Sequence, residues 1–352
     1  LYAVSVTLKQ QRRSVVEPKV TAAETERLEH ELRPRRLSEY VGQVKVKEHL
    51  TVHLGAARSR GEPLGHTLFH GPPGIGKTTL AHIVAHEMQT NLRITSGPAI
   101  EKPGDLASLL TNLSEGDVLF IDEIHRLRPV IEEVLYAAME EYALDIVLGK
   151  GPSARSMRIR LRPFTLVGAT TKVGAMSAPL RDRFIHAFKI GFYAVKEIEQ
   201  VLKRSAGILK VDLDSDAAVR LAACSRATPR IANRLLRTVR DFAVVNGESR
   251  ITLQRTKDTL RSLEVDQEGL DATDRAILST VIEKFAGGPV GLSTIAASLS
   301  EEEETIEDVY EPYLLQLGFL KRTPQGRMAT PLAYEHFGIE RPGGAQLRLS
   351  EA

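Results

Sequence analysis

The chain has a single cysteine in 352 residues, Cys224, which excludes an intramolecular disulfide and suits a reducing compartment. It also has almost no net charge. Against 47 lysines and arginines stand 45 aspartates and glutamates, a formal +2. That balance excludes a strong overall field, so any contact with nucleic acid has to come from local basic patches. No apolar run approaches the length of a membrane span. The weakly apolar stretch Leu1–Leu8 has no basic leader and no convincing cleavage site, so no signal peptide is expected. These absences point to a cytoplasmic protein that does not enter a membrane. What is present, 42% hydrophobic and 26% charged residues, describes a soluble chain long enough for two or three domains with real cores.

Residues 69–80 read Phe-His-Gly-Pro-Pro-Gly-Ile-Gly-Lys-Thr-Thr-Leu, a phosphate-loop pattern. Thr67-Leu68-Phe69 leads in as a buried strand, and Leu80, Ala81, Ile83 and Val84 follow at helical spacing. The glycines, Gly71, Gly74 and Gly76, let the backbone curl until its N–H groups point at phosphate oxygens beside a helix N-terminus. Lys77 would neutralise the β- and γ-phosphates and the Thr78 hydroxyl would hold Mg²⁺, with Thr79 next in the loop. A nucleoside triphosphate is the expected ligand, ATP with Mg²⁺. A second motif, Asp117-Val118-Leu119-Phe120-Ile121-Asp122-Glu123, is an apolar strand ending in two carboxylates. Asp122 would support the Mg²⁺ shell, and Glu123 would polarise the attacking water. His125 has no second metal ligand at a sensible spacing and is expected to fix the local turn.

From Leu68 to Phe192 apolar strands alternate with helical stretches, the pattern of a parallel sheet flanked by helices. Strands are expected at Thr67–His70, Leu92–Thr95, Val118–Ile121 and Thr165–Ala169. The expected organisation is a mobile arm (1–30), a large α/β domain (31–193), an all-helical lid (194–266), a winged helix (267–340) and a flexible tail (341–352). A hairpin projects from the large domain at 144–161, with Gly149-Lys150-Gly151-Pro152 at its tip and Lys150, Arg155, Arg158, Arg160 and Arg162 along it. It is either a solvated basic ribbon or a contact surface for DNA or a protein. In the lid, Thr228 is expected to cap a helix with Pro229 in its first turn, and Ile231, Leu235, Leu236, Val239 and Phe242 form its apolar face.

The third helix of the winged unit, Glu303–Leu317, is acidic: Glu301, Glu302, Glu303, Glu304, Glu307, Asp308 and Glu311 precede the first cation, Lys321. In a major groove those carboxylates would face phosphates. Contact with duplex DNA is therefore expected from the wing, through Lys321, Arg322 and Arg327, with little sequence preference. A winged helix used only for protein contacts is the alternative.

In combination these residues resemble the RuvB family of bacterial AAA+ motors, which drive branch migration of Holliday junctions. The likeness spans about residues 30–340. Its specific stretches are Leu32–Gln43, Ser96-Gly97-Pro98, Gly149-Lys150-Gly151-Pro152, Gly168–Thr171, Pro179–Phe184, Thr228–Arg240, Gly287–Leu292 and Glu311–Leu315. The resemblance implies an AAA+ core, helical lid and winged helix, working as a homo-hexamer in recombination and repair. It implies that Thr171 senses the γ-phosphate, that Arg183 is an arginine finger reaching a neighbouring subunit's nucleotide, and that Arg230 is the second sensor. By spacing alone Arg183 could equally pair with Asp182. It further implies adenine and ribose contacts from Leu32, Arg33 and Tyr193, and nucleotide contacts from Glu140, Glu141 and Tyr142. The hairpin 144–161 would dock on RuvA, and RuvC would join in the resolvasome. The chain departs from the family pattern at Ile185-His186, Ala227, Gln325 and the basic Arg160 and Arg162. A clamp-loader-like ATPase and a DNA-binding switch remain the competing readings.

Overall fold

In the strand Val118-Leu119-Phe120-Ile121, alternate side chains point to opposite sides and every one is fully buried. That happens only where both faces of a sheet are covered, the environment of a parallel sheet. The computed structural model describes residues 31–148 and 155–340. The expected arm, hairpin tip with Lys150, and tail lie outside the described residues. Among the described residues, Glu31–Arg33 fall in one unit and those from Pro34 onward in another; the description below concerns the second.

Helix α1 (Val44–Arg60) precedes β1 (Thr67–His70), the phosphate loop and α2 (Lys77–Met88). Next come β2 (Leu92–Ser96), α3 (Pro103–Thr111), β3 (Val118–Asp122) and α4 (Pro129–Glu141). The hairpin β4 (Ala143–Leu148) and β5 (Arg155–Arg160) is antiparallel, from Ala143 opposite Arg160 to Leu148 opposite Arg155. Then follow β6 (Thr165–Thr170), the short α5 (Ala178–Asp182) and β7 (His186–Lys189). The sheet is parallel throughout, in the order β2-β3-β6-β1-β7. Four of its strands match expectation to within a residue. The edge strand β7 was not anticipated, because His-Ala-Phe-Lys carries a single large apolar residue. Its partner β1 makes it a strand.

Phe69, Val118, Phe120 and Val167 pack on one face with α1, α2 and the lid. Leu68, Leu119, Ile121 and Leu166 pack on the other with α3, α4, Phe164 and Phe184. The lid helices are α6 (Val195–Ile208), α7 (Ser215–Ala223), α8 (Pro229–Val245) and α9 (Leu253–Ser262). The lid is not purely helical: β8 (Asp212–Leu213) and β9 (Arg250–Ile251) form a two-residue parallel pair. The buried face of α8 centres on Leu235, Leu236 and Val239, with Ala232 and Ala243 completing it; Ile231 and Phe242 lie at its margin. The third unit has its own core around Leu278, Val281, Ile295, Leu314 and Leu320. It comprises α10 (Ala272–Ser279), α11 (Leu292–Leu299), α12 (Glu303–Thr305), α13 (Glu311–Gln316), the wing β10 (Leu320–Thr323) and β11 (Gly326–Ala329), and α14 (Pro331–Phe337). A π-helical turn, Ile306–Tyr310, joins α12 to α13, so the acidic helix is one irregular run.

The passage from core to lid is strained. Ala227 sits at φ 52, the left-handed region that favours glycine, and its carbonyl accepts from Tyr193 N at 3.0 Å. Thr228 occupies the N-cap of α8, yet its hydroxyl donates backwards to Ser225 O at 3.2 Å instead of capping. Glycine normally destabilises by chain entropy, but here it relieves a positive φ. Ala227→Gly is expected to stabilise the lid by about 1 kcal/mol, read as a raised thermal or urea midpoint.

Candidate active site

The phosphate loop is seated by contacts only glycine allows. Gly71 lies at φ 145, and a Cβ there would stand 2.1 Å from Ile190 O; at Gly76, φ 102, it would meet the Tyr40 hydroxyl at 2.8 Å. Gly71 N donates to Thr170 O at 3.1 Å, fastening the loop to the end of β6. Beneath the loop, the Tyr40 hydroxyl donates to Ile75 O (3.2 Å) and accepts from Tyr193 (2.9 Å). Burial pushes both phenols up, Tyr193 to about 12, so both remain donors at neutral pH. Tyr193, expected at adenine and ribose, thus has its hydroxyl committed to the loop's underside. Leu32 and Arg33 fall in the other unit.

Lys77 opens α2 and is almost fully buried. Its Nζ donates to the loop carbonyls of Gly71 (2.8 Å) and Pro72 (2.9 Å). Burial lowers its pKa to about 8, against the pull of Glu123 and Asp122, while Arg230 adds to the lowering. Thr78 and Thr79, half-buried, complete the first turn, whose N–H groups have no intrahelical partner. From the lid, Arg230 N donates to Gly74 O at 3.3 Å, and the arginine's Cβ would be 3.2 Å from a Cβ on Gly74.

At the ends of β3 and β6 the polar groups converge. Asp122 accepts from Glu123 N at 3.0 Å. Glu123 takes a left-handed conformation, φ 48, uncommon for its residue type and frequent at functional turns. Its carboxylate accepts from the Thr171 hydroxyl at 3.2 Å and lies 3.3 Å from His125 Nδ1. His125 does more than fix a turn: the same Nδ1 is 2.9 Å from the Thr170 hydroxyl, tying β3 to β6. Burial holds its pKa below the usual imidazole value, so it is neutral near pH 7. No spacing in the sequence signals that partner, which lies on another strand.

The next residue, Lys172, faces the winged helix. Its ammonium is 2.9 Å from Asp308 and 3.8 Å from Glu304 and Glu307. The acidic helix therefore turns part of its charge onto the core beside the end of β6. Glu311, 1% exposed at the side chain, turns the rest onto the wing: it accepts from Arg322 at 2.8 Å and from Arg327 at 3.1 Å. Burial acts to raise the Glu311 pKa, but the two guanidiniums outweigh it and leave the carboxyl below its ordinary value. Of the expected DNA contacts, Lys321 and Arg322 are exposed at the wing and Arg327 is mostly buried against Glu311.

Arg183, at the C-terminal end of α5, does not pair with Asp182, which lies 4.0 Å from Arg181 instead. Its guanidinium donates to Pro179 O (2.8 Å), pairs with Glu140 (3.0 Å) and stacks on the Tyr136 ring. Glu141 pairs with Arg158 of the hairpin, and the Tyr142 ring packs on Phe164 at 5.7 Å. Of these three, Glu140 meets Arg183, whereas Glu141 meets the hairpin and Tyr142 packs beside Phe164. Tyr136 is the residue that sequence reasoning missed; its signal was its position four residues before Glu140.

Three family descriptions match in sequence: the Holliday junction DNA helicase RuvB P-loop domain at residues 32–190, the RuvB AAA lid domain at 193–266 and the RuvB C-terminal winged helix domain at 267–338. Among solved structures, the chain is similar to the Thermotoga maritima RuvB Holliday junction branch migration motor at 50% identity and TM-score 0.81, covering 89% of this chain and 100% of that one. A point mutant of the Thermotoga protein matches at 50% identity and TM-score 0.82, over 88% and 99% of the two chains.

The Lys77 environment makes nucleotide binding pH-dependent. In the free protein its ammonium titrates at about 8; a phosphate held against it raises that value, so binding takes up a proton above pH 8. Affinity is expected to fall by up to about tenfold per pH unit as the pH rises from 8 toward 10. Titrations with a fluorescent adenine nucleotide at pH 7 and 9.5 check this: the wild-type constants should diverge, while those of Lys77→Arg, which does not titrate there, should stay level.

Proposed function

This chain belongs to the RuvB family, and we propose that it works as an ATP-driven translocase that, with RuvA, drives branch migration of Holliday junctions. It is a P-loop ATPase with a parallel sheet, a helical lid and a C-terminal winged helix. The observation that carries the catalytic reading is the meeting of Glu123 and Thr171 at the ends of neighbouring strands, beside a loop seated on Thr170 O. In that reading the nucleotide is ATP, cradled by Gly74, Gly76, Lys77, Thr78 and Thr79. Among the described residues no three His, Cys, Asp or Glu side chains cluster as metal ligands. A Mg²⁺ held mainly by phosphates needs only one or two protein groups, and Thr78 with Asp122 fit that demand. The ion would neutralise charge developing on the phosphates.

Glu123 orients and deprotonates the attacking water. Its bond to Thr171 keeps the carboxylate turned aside until a γ-phosphate competes for the threonine hydroxyl. Arg183 acts on the nucleotide of a neighbouring subunit, where the family resemblance also puts Glu140, Glu141 and Tyr142; its contacts with Pro179, Glu140 and Tyr136 include none with its own phosphate loop, which supports that direction. Arg230, hydrogen-bonded to Gly74, reports the loop's state to the lid; base and ribose contacts from Leu32, Arg33 and Tyr193 rest on the family resemblance alone. An active site completed in trans requires neighbouring copies, and the family resemblance makes that assembly a homo-hexameric ring. The hairpin 144–161 docks on RuvA, and RuvC joins the assembly by family resemblance. Lys321, Arg322 and Arg327 track the duplex backbone, without sequence preference because phosphates carry none. No helix among the described residues is long and apolar enough to cross a membrane, in keeping with a cytoplasmic DNA-processing enzyme.

The test is ATP-dependent dissociation of a synthetic four-way junction, with and without RuvA. Wild type should dissociate it with strong stimulation by RuvA, and Arg183→Ala should lose turnover by on the order of 10³-fold. An intact junction accompanied by continued ATP hydrolysis would favour a clamp-loader or switch role instead.

A further inference from the structure

Glu132, Tyr136 and Glu140 recur every fourth residue along α4 and so share one face of that helix. The face is turned toward α5, whose C-cap is Arg183. Glu132 is buried, and its carboxylate accepts from the Ser177 hydroxyl at 2.5 Å and from the Tyr136 hydroxyl at 2.8 Å. Ser177 is the N-cap of α5, its oxygen accepting from Leu180 N at 3.3 Å. One turn on, the Tyr136 ring lies under the Arg183 guanidinium, 4.4 Å from carbon to ring centroid. A further turn on, Glu140 meets the same guanidinium at 3.0 Å from the exposed side. A single helical stripe thus holds the start of α5 through its cap and the end through its arginine.

The chemistry of the three contacts differs. A ring face attracts a cation without occupying its N–H groups, so Tyr136 fixes the plane of the guanidinium while leaving donors for an anion. The Arg183 Nε is buried and has no hydrogen-bond partner. Burial also raises the Tyr136 pKa, which keeps its hydroxyl protonated and donating to Glu132. Glu140, by contrast, does use an N–H group, and being about half exposed it can give way to a phosphate.

We propose that Tyr136 is the positioning residue of the arginine finger: its ring, anchored through Glu132 to the cap of α5, holds the Arg183 guanidinium in the orientation that meets the γ-phosphate bound to a neighbouring copy of this chain. The inference rests on the trans role of Arg183 proposed above. Glu140 occupies the finger until that phosphate arrives.

The experiment is a double-mutant cycle on duplex-stimulated ATP turnover by the full chain, with nucleotide affinity measured alongside. Tyr136→Ala is expected to lower kcat at least about tenfold with little change in nucleotide affinity, because the chain's own phosphate loop is untouched. Tyr136→Phe keeps the ring under the guanidinium and should retain turnover within about threefold. The variant carrying both Tyr136→Ala and Arg183→Ala should be no slower than Arg183→Ala alone. Losses that multiply, or a Tyr136→Ala enzyme as fast as wild type, would overturn the proposal. So would a Tyr136→Phe enzyme as slow as Tyr136→Ala. If Arg183→Ala itself turns over normally, the finger assignment fails first, and that outcome is distinct from the others.

Discussion

Strand β6 lies between β1 and β3, and its parallel register with both is the constraint on which the rest of the site depends. Thr170 pairs with His70, so the next residue of β1's chain, Gly71, reaches back to Thr170 O. Gly168 pairs with Ile121, which brings Glu123 to the Thr171 hydroxyl. One strand therefore sets the height of the phosphate loop on one side and of the acidic turn on the other. A slip of one residue would turn every side chain of β6 to the opposite face and put Leu166 or Gly168 where Val167 now packs. Complete burial on both faces is what forbids that slip: Leu166 and Val167 serve opposite cores, and each contributes about 1.5–3 kcal/mol by burial.

From the same strand end, Lys172 carries the connection outward to the acidic helix of the winged unit. Seven carboxylates in and before one helix look at first like a surface repelled by DNA. The structure gives several of them another use. Asp308, Glu304 and Glu307 surround Lys172, and Glu311 neutralises two wing arginines from within. A buried carboxylate is tolerable only when paired and hydrogen-bonded, and Glu311 has both arginines bonded to it. The arginines that would touch phosphate are thus held in place by an acid behind them, as Arg183 is held by an aromatic ring and the glutamate at its side.

How much of this could be read beforehand depended on the range of the interaction. The loop from Gly71 to Thr79, the acidic strand end and the strand-helix alternation are local patterns, and each appears where expected. Ala227 was visible as an alanine in a place suited to glycine, and its φ of 52 gives that departure a physical cost. The edge strand β7 was invisible because four residues with one large apolar side chain have no period of their own. Thr228 was read as a cap from residue type alone, but its hydroxyl found a nearer acceptor in Ser225 O.

By itself the sequence determined the chemistry: which residues can cradle phosphates, which carboxylates stand beside them, and how the chain divides into sheet, lid and winged helix. These follow from spacing along one backbone, where 2.0- and 3.6-residue periods and glycine positions are already explicit. Only the tertiary structure decided who meets whom: His125 with Thr170, Lys172 with Asp308, Glu311 with Arg322 and Arg327, Tyr136 with Arg183. These pairs join separate elements, and a charge or ring in a sequence attracts every complementary partner equally. The choice is made when apolar packing fixes the distances, because such interactions act over a few ångströms while the residues that make them lie from 11 positions to well over a hundred apart.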